Sequence, residues 1–201
     1  MNNIVILISG SGSNMRAIVE HSWRERWLER FEAQVSLVIS TDAASKGLAW
    51  AQGAQIPTQV VSHKDYPNLS KDQARQAFEL DLCAAIDAHT PSLVVLAGFM
   101  RILNPTTVEH YARKMLNIHP SLLPAFPGLH THERALQAGC KFHGATVHWV
   151  TPELDAGDII DQAVVPVLTT DTPQSLAQRV LTQEHLLYPN VIENWLQSLA
   201  R

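Results

Sequence analysis

The chain has 201 residues, and its 15 Lys and Arg against 19 Asp and Glu give a formal net charge of −4. Hydrophobic residues make up 46% and charged residues 17%, which excludes a disordered, collagen-like or coiled-coil chain and leaves no basic excess for non-specific nucleic-acid binding. Two cysteines, Cys83 and Cys140, are too few for a disulfide framework or a four-cysteine zinc site.

The length suits one domain, by the usual ~100–200 residues per domain. After Met1-Asn2-Asn3 the apolar run is about six residues, too short for a secretory core. No run nears the ~20 apolar residues of a membrane span. A single domain over 1–201, located in the cytoplasm, is expected.

Residues 4–8, Ile-Val-Ile-Leu-Ile, form a continuous apolar run closed by Ser9-Gly10-Ser11-Gly12. It reads as a strand buried on both faces. A helix is expected from about Asn14 to Phe31, with Met15, Ile18, Val19, Trp23, Trp27 and Leu28 inward. Val35–Ile39 reads as a second strand, 43–53 as an Ala-rich helix stopped at Gly53, and 58–62 as a third strand. Ser70 caps a helix that runs to about His89. Leu93–Ala97 is a fourth strand and Met115–His119 a fifth, with a short helix opened by Pro105 between them. Strands alternating with helices predict a doubly wound, mainly parallel α/β sheet. Ala145–Val150 and Ile159–Val167 have no helix between them and predict an antiparallel pair. Residues 173–200 read as a long terminal helix that Pro189 breaks or kinks.

Four segments carry chemistry. Gly10-Ser11-Gly12-Ser13-Asn14 follows the first strand and opens a helix, which offers free N–H groups and a positive dipole end to a phosphate. The bland reading is a turn with an N-cap. Position favours the phosphate, because open α/β sheets bind ligands outside the carboxyl ends of their strands. A dinucleotide fingerprint would need glycine at Met15, and the Gly-Lys-Ser/Thr of a nucleotide P-loop is absent. A monophosphate is what remains.

Asn117 and His119 lie two apart at the end of the fifth strand, so they project from one face. Histidine is the natural acid–base near neutral pH, and an Asn amide can donate to a developing oxyanion. The bland alternative is a structural Asn/His pair, one among ten histidines. Asp155, in Leu154-Asp155-Ala156-Gly157-Asp158, can orient an imidazole and favour its protonated form, or can make an Asx-turn. His130, His132, His143 and His148 lack zinc-ligand spacing, so no metal is expected. Gly98-Phe99-Met100-Arg101-Ile102-Leu103 forms an apolar loop that can line a pocket for a flat aromatic ligand or belong to the core.

Five segments together resemble one family. They are Ile-Ser-Gly-Ser-Gly-Ser-Asn (8–14), Val-Val-Leu-Ala-Gly-Phe-Met-Arg-Ile-Leu (94–103), Leu-Asn-Ile-His-Pro-Ser-Leu-Leu-Pro (116–124), Pro-Gly-Leu-His-Thr-His (127–132) and Thr-Gln-Glu-His (182–185). The chain is similar over nearly its whole length to the phosphoribosylglycinamide formyltransferases, folate-dependent enzymes of purine biosynthesis. The resemblance implies a Rossmann-like formyltransferase fold and formyl transfer from 10-formyltetrahydrofolate to the glycinamide amine of a phosphoribosyl substrate. It implies Asn117, His119 and Asp155 as the catalytic trio. Gly12, Ser13, Asn14, Thr182, Gln183 and Glu184 would hold the ribonucleotide. Arg75, Met100, Arg101, Ile102, Leu103 and Asn117, with Thr151, Pro152, Glu153, Leu154 and Asp155, would line the folate side. It also implies a cis bond before Pro124, no metal, small-molecule substrates alone, and a monomer or weak homodimer. Ser11 and Leu181 depart from the family pattern, where Asn and a polar residue are common.

Three rivals differ in testable ways. A formyl-tRNA-forming enzyme carries an RNA-binding domain for which this chain has no room. A formyltetrahydrofolate hydrolase shares the Asn/His/Asp chemistry with water as acceptor, but carries a further amino-terminal domain. A non-catalytic phosphate- or folate-binding module would bind both ligands without turnover.

Overall fold

The computed structural model describes residues 1–200; Arg201, the last residue of the expected domain, lies outside them. Seven strands form one sheet: β1 (Asn2–Ile8), β2 (Ala33–Ser40), β3 (Thr58–Val60), β4 (Leu93–Leu96), β5 (Met115–His119), β6 (Phe142–Trp149) and β7 (Ile159–Pro166). Their order is β3-β2-β1-β4-β5-β6-β7. The β3–β2, β2–β1, β1–β4 and β4–β5 pairs are parallel, while β5–β6 and β6–β7 are antiparallel. Among the described residues seven α-helices join or cover them: α1 (Ser13–Arg24), α2 (Trp27–Phe31), α3 (Lys46–Gly53), α4 (Lys71–Asp87), α5 (Pro105–His110), α6 (Thr131–Gln137) and α7 (Pro173–Leu199). This is the Rossmann-like arrangement expected, with the antiparallel portion and the long helix at the carboxyl end.

The two-residue period of a strand splits the core into two layers. Ile4, Ile6 and Ile8 of β1, with Leu93 and Val95 of β4, pack against α1, α3 and α7. Val5 and Leu7, with Val94 and Leu96, pack against α4 and α5. Both faces of the central strands are therefore dry, which is why they read as unbroken apolar runs.

Three expectations need correction. The helix expected over 14–31 is two helices, because Arg26 takes a left-handed backbone (φ 54°) between them. That turn swings Trp27 into the core with no exposure, while Trp23 and Leu28, expected inward, are 55% and 54% exposed. The helix expected from 43 begins at Lys46, where the Ser45 hydroxyl accepts from the Leu48 N–H at 3.1 Å. Of the break or kink expected at Pro189, the break does not occur, since α7 runs on through it. Pro189 is buried, and beside it the Tyr188 hydroxyl donates to the carbonyls of Leu96 and Leu116 at 3.1 and 3.0 Å. Packing of the helix against β4 and β5 offsets the ~3 kcal/mol that an interior proline costs.

Candidate active site

The strand order reverses at β1, which pairs with β2 on one side and β4 on the other. Chain leaving the carboxyl ends of β1 and β4 opens the crevice that such a switch point always leaves. The two loops are tied together, since the Met100 N–H donates to Ser9 Oγ at 3.0 Å.

The β1 loop ends at Gly12, which caps α1 in a left-handed conformation (φ 68°). A Cβ there would come within 2.7 Å of the Gly47 Cα at the start of α3. Only glycine meets both conditions. The first N–H groups of α1 then point out of the helix without internal partners. Asn14 is buried just inside, and its amide donates to Glu184 Oε2 of α7 at 2.6 Å. Its Oδ1 is buried without a partner. Burial raises the pKa of Glu184, and the Asn14 bond opposes that rise. Gly12, Ser13, Asn14 and Glu184 thus meet in one place. Thr182 does not join them: it is exposed, and its hydroxyl donates to the Gln178 carbonyl at 3.0 Å. Gln183 is half-buried on the same helix.

On the other side of the crevice the loop after β4 carries Met100 and Ile102, which are 73% and 68% exposed, while Leu103 is buried. Two large apolar side chains held in the open beside a polar centre fit a flat ligand better than a core. The Arg101 guanidinium lies against the His63 ring, and Arg75 of α4 donates from Nη2 to the Ile102 carbonyl at 3.2 Å. Residues 151–154 form the opposite, largely exposed rim, where the Thr151 hydroxyl donates to the Glu153 carbonyl at 3.1 Å.

Asn117, His119 and Asp155 converge between these walls. Asp155 Oδ2 is 3.3 Å from His119 Nδ1, and each side chain is 7% exposed. The same oxygen accepts from the Gly128 N–H at 2.8 Å. His119 Nε2 is 2.9 Å from the Phe126 carbonyl. Both ring nitrogens thus lie beside oxygen atoms, Nδ1 in contact with the carboxylate and Nε2 hydrogen-bonded to the carbonyl. Asp155 itself sits at φ 53°, a conformation Asp tolerates better than most residues. Its loop passes close to β6 because Gly157 has no side chain; a Cβ there would lie 1.8 Å from the Trp149 carbonyl oxygen. The Leu123–Pro124 bond in the adjoining loop is cis.

One residue of the site escaped the sequence reading. His148, on β6 opposite Asn117, enters the sequence analysis only as one of four histidines without zinc-ligand spacing. Its Nδ1 lies 2.9 Å from the Trp149 carbonyl, so it carries the proton. The free Nε2 then accepts from the Asn117 amide at 3.2 Å. Burial lowers its pKa, against the Trp149 bond and the Asp155 charge, and so keeps the ring neutral and able to accept. This orients the Asn117 amide. The only sequence signal was β6 alternation, which puts His148 and Thr146 on one face. His132 and His143 form a separate pair at 3.2 Å. Among the described residues no group of three or more His, Cys, Asp or Glu could hold a metal ion.

A switch-point crevice with an anion-binding loop on one wall, an apolar loop on the other and an Asn–His–Asp set between them defines an α/β group-transfer enzyme. Comparison with known proteins gives its kind. The formyl transferase family model matches residues 2–192. Escherichia coli (strain K12) phosphoribosylglycinamide formyltransferase is 46% identical over 190 residues, 94% of this chain and 85% of that protein. The human trifunctional purine biosynthetic protein adenosine-3 is 43% identical over 94% of this chain, which spans only 18% of that much longer protein. Among solved structures, the phosphoribosylglycinamide formyltransferase of Brucella melitensis superposes with a TM-score of 0.87 at 47% identity, covering 97% of this chain and 95% of that one. The chain belongs to the formyl transferase family, in its phosphoribosylglycinamide formyltransferase branch.

Proposed function

We propose that the protein transfers the formyl group of 10-formyltetrahydrofolate to the glycinamide amine of 5'-phosphoribosylglycinamide, in purine biosynthesis. The observation that carries this reading is the placement of Asn117, His119 and Asp155 between a phosphate-type loop and an exposed apolar loop. The ribonucleotide phosphate lies at the α1 N-terminus near Gly12, Ser13 and Asn14, with Glu184 toward the sugar. Thr182 and Gln183 flank it on α7. The folate lies across Met100, Arg101, Ile102 and Leu103, with Arg75 behind and 151–155 in front.

The neutral amine attacks the formyl carbon, and a tetrahedral oxyanion forms. The Asn117 amide has one N–H committed to His148, leaving the other to donate to that oxygen. The imidazolium of His119 is the second donor. Its Nε2, 2.9 Å from the Phe126 carbonyl, shares its N–H between that carbonyl and the oxyanion. Asp155 holds the ring and balances its charge. The amine loses a proton and the folate nitrogen gains one as the oxyanion collapses and the bond between the formyl carbon and the folate nitrogen breaks, which releases the deformylated folate. No covalent bond to the protein is needed.

The chain works as one formyltransferase domain in the cytoplasm, as a monomer or weak homodimer, with no nucleic-acid or membrane partner. Among the described residues no helix is long and apolar enough to cross a membrane. The test is deformylation of a 10-formyl folate, followed by absorbance with and without the ribonucleotide. Turnover that depends on the ribonucleotide supports the transferase. Equal turnover without it means a hydrolase, and no turnover with both ligands bound means a binding module.

A further inference from the structure

We propose that Glu79 is a positioning residue for the folate wall of the site, acting through Arg75 and the loop at 100–104. The inference rests on the folate reading of that loop. Glu79 stands on α4, outside every predicted site set, and is 5% exposed. Its carboxylate accepts from the Asn104 N–H with both oxygens, at 3.0 and 2.9 Å. It also accepts from the Thr107 hydroxyl at 2.5 Å and faces Arg75 Nε at 3.4 Å.

The local chemistry explains why it is there. Asn104 is the N-cap of α5, yet its own side chain makes no capping bond, and Pro105 at the first position has no N–H to give. A carboxylate from another helix instead accepts from the Asn104 N–H, the bond that a residue of the helix's own first turn supplies in a capping box. One turn earlier, Arg75 reaches past Glu79 to the Ile102 carbonyl at 3.2 Å. The segment between Met100 and Asn104 is therefore pinned at both ends, to Ser9 at its start and to α4 at its finish.

Stability alone is a poor reason for this device. A buried carboxylate contributes less than an apolar side chain of similar volume once its desolvation is counted. What it supplies is geometry: one fixed path for the loop, and an Arg75 head held on that loop rather than free in solvent. Glutamine cannot substitute, because the Asn104 N–H touches both carboxylate oxygens and an amide nitrogen at either place would set donor against donor.

The test is steady-state kinetics in both substrates on Glu79→Gln, Glu79→Asp and Thr107→Val. For Glu79→Gln the KM of the formyl folate should rise about 10-fold, the change expected when a charged hydrogen-bond acceptor is lost. The ribonucleotide KM should stay within about two-fold and the saturated kcat within about three-fold, since neither the phosphate-binding wall nor the catalytic trio is touched. Thr107→Val, which keeps the charge and Arg75, should raise the folate KM about three-fold, and Glu79→Asp should fall between it and Glu79→Gln. These last two carry the test if Glu79→Gln fails to fold. An unmoved folate KM in all three, or an equal rise in both KM values, would overturn the assignment. Absence of saturation by the formyl folate in the unmutated protein would instead overturn the folate reading.

Discussion

Replacing Asp155 by Asn removes one charge from the centre of the site and almost no volume. The remaining carbonyl oxygen can still accept from the Gly128 N–H, now 2.8 Å from Oδ2. The amide nitrogen would then occupy the place of Oδ1, 3.8 Å from His148 Nε2, where it meets an acceptor rather than a donor. The loop should hold. What is lost is the charge-assisted contact with His119 at 3.3 Å between two side chains that are each 7% exposed. Taken at the ~1.5–3 kcal/mol of hydrogen bonds to charged groups, loss of this ion-pair contact corresponds to a rate loss of about 10- to 150-fold. The loss should fall on kcat, because the imidazolium matters most when the oxyanion forms. Both KM values should stay within about three-fold. The assay is ribonucleotide-dependent deformylation by absorbance, with circular dichroism to show that the variant is folded. A folded Asp155→Asn variant with kcat within about three-fold of the parent would refute the role given to the pair.

Three further outcomes follow from the geometry. His148→Leu removes the acceptor that orients the Asn117 amide and should lower kcat about 10-fold, whereas His148→Gln, which keeps an acceptor, should retain more; equal losses in stopped-time assays would argue against orientation. Gly12→Ala puts a Cβ within 2.7 Å of the Gly47 Cα at φ 68°, and should cost about 1–3 kcal/mol in urea denaturation and raise the ribonucleotide KM. Burial lowers the pKa of His143 from 6.5 to about 4, with the neighbouring His132 charge acting the same way. The unfolded chain then binds the proton first, so stability should be full above about pH 6.5 and fall as pH drops toward about 4. A flat thermal-melting profile across that window, with His143→Phe matching the parent, would contradict it.

Local pattern was enough for much of this protein. The run Ile4–Ile8 had to be a doubly buried strand, since alternate side chains would otherwise face water with nothing to compensate. Asn117 and His119 had to share a face, because a strand repeats every two residues. Ser70 and Pro105 marked helix starts through their own backbone chemistry, and both hold. Conformation at these positions is set by neighbours in the chain, so it can be read there.

Other features were decided by tertiary contacts between residues far apart in the chain. Nothing near Asp155 shows that it meets His119; the β6–β7 pairing and the closeness allowed by Gly157 bring them together. The Asn117–His148 bond exists only because β6 runs antiparallel to β5 in that register. Pro189 survives inside α7 because the sheet holds the helix on both sides of it, and Arg26 turns left-handed because Trp27 gains a dry site by it. Glu79 reads as one more polar residue on an amphipathic helix until Asn104, Thr107 and Arg75 are seen around it. A sequence determines what each segment can become on its own, through periodicity and backbone preference. Which side chains share a low-dielectric site, and so which charges are paired and which are exposed, is settled only when the segments pack.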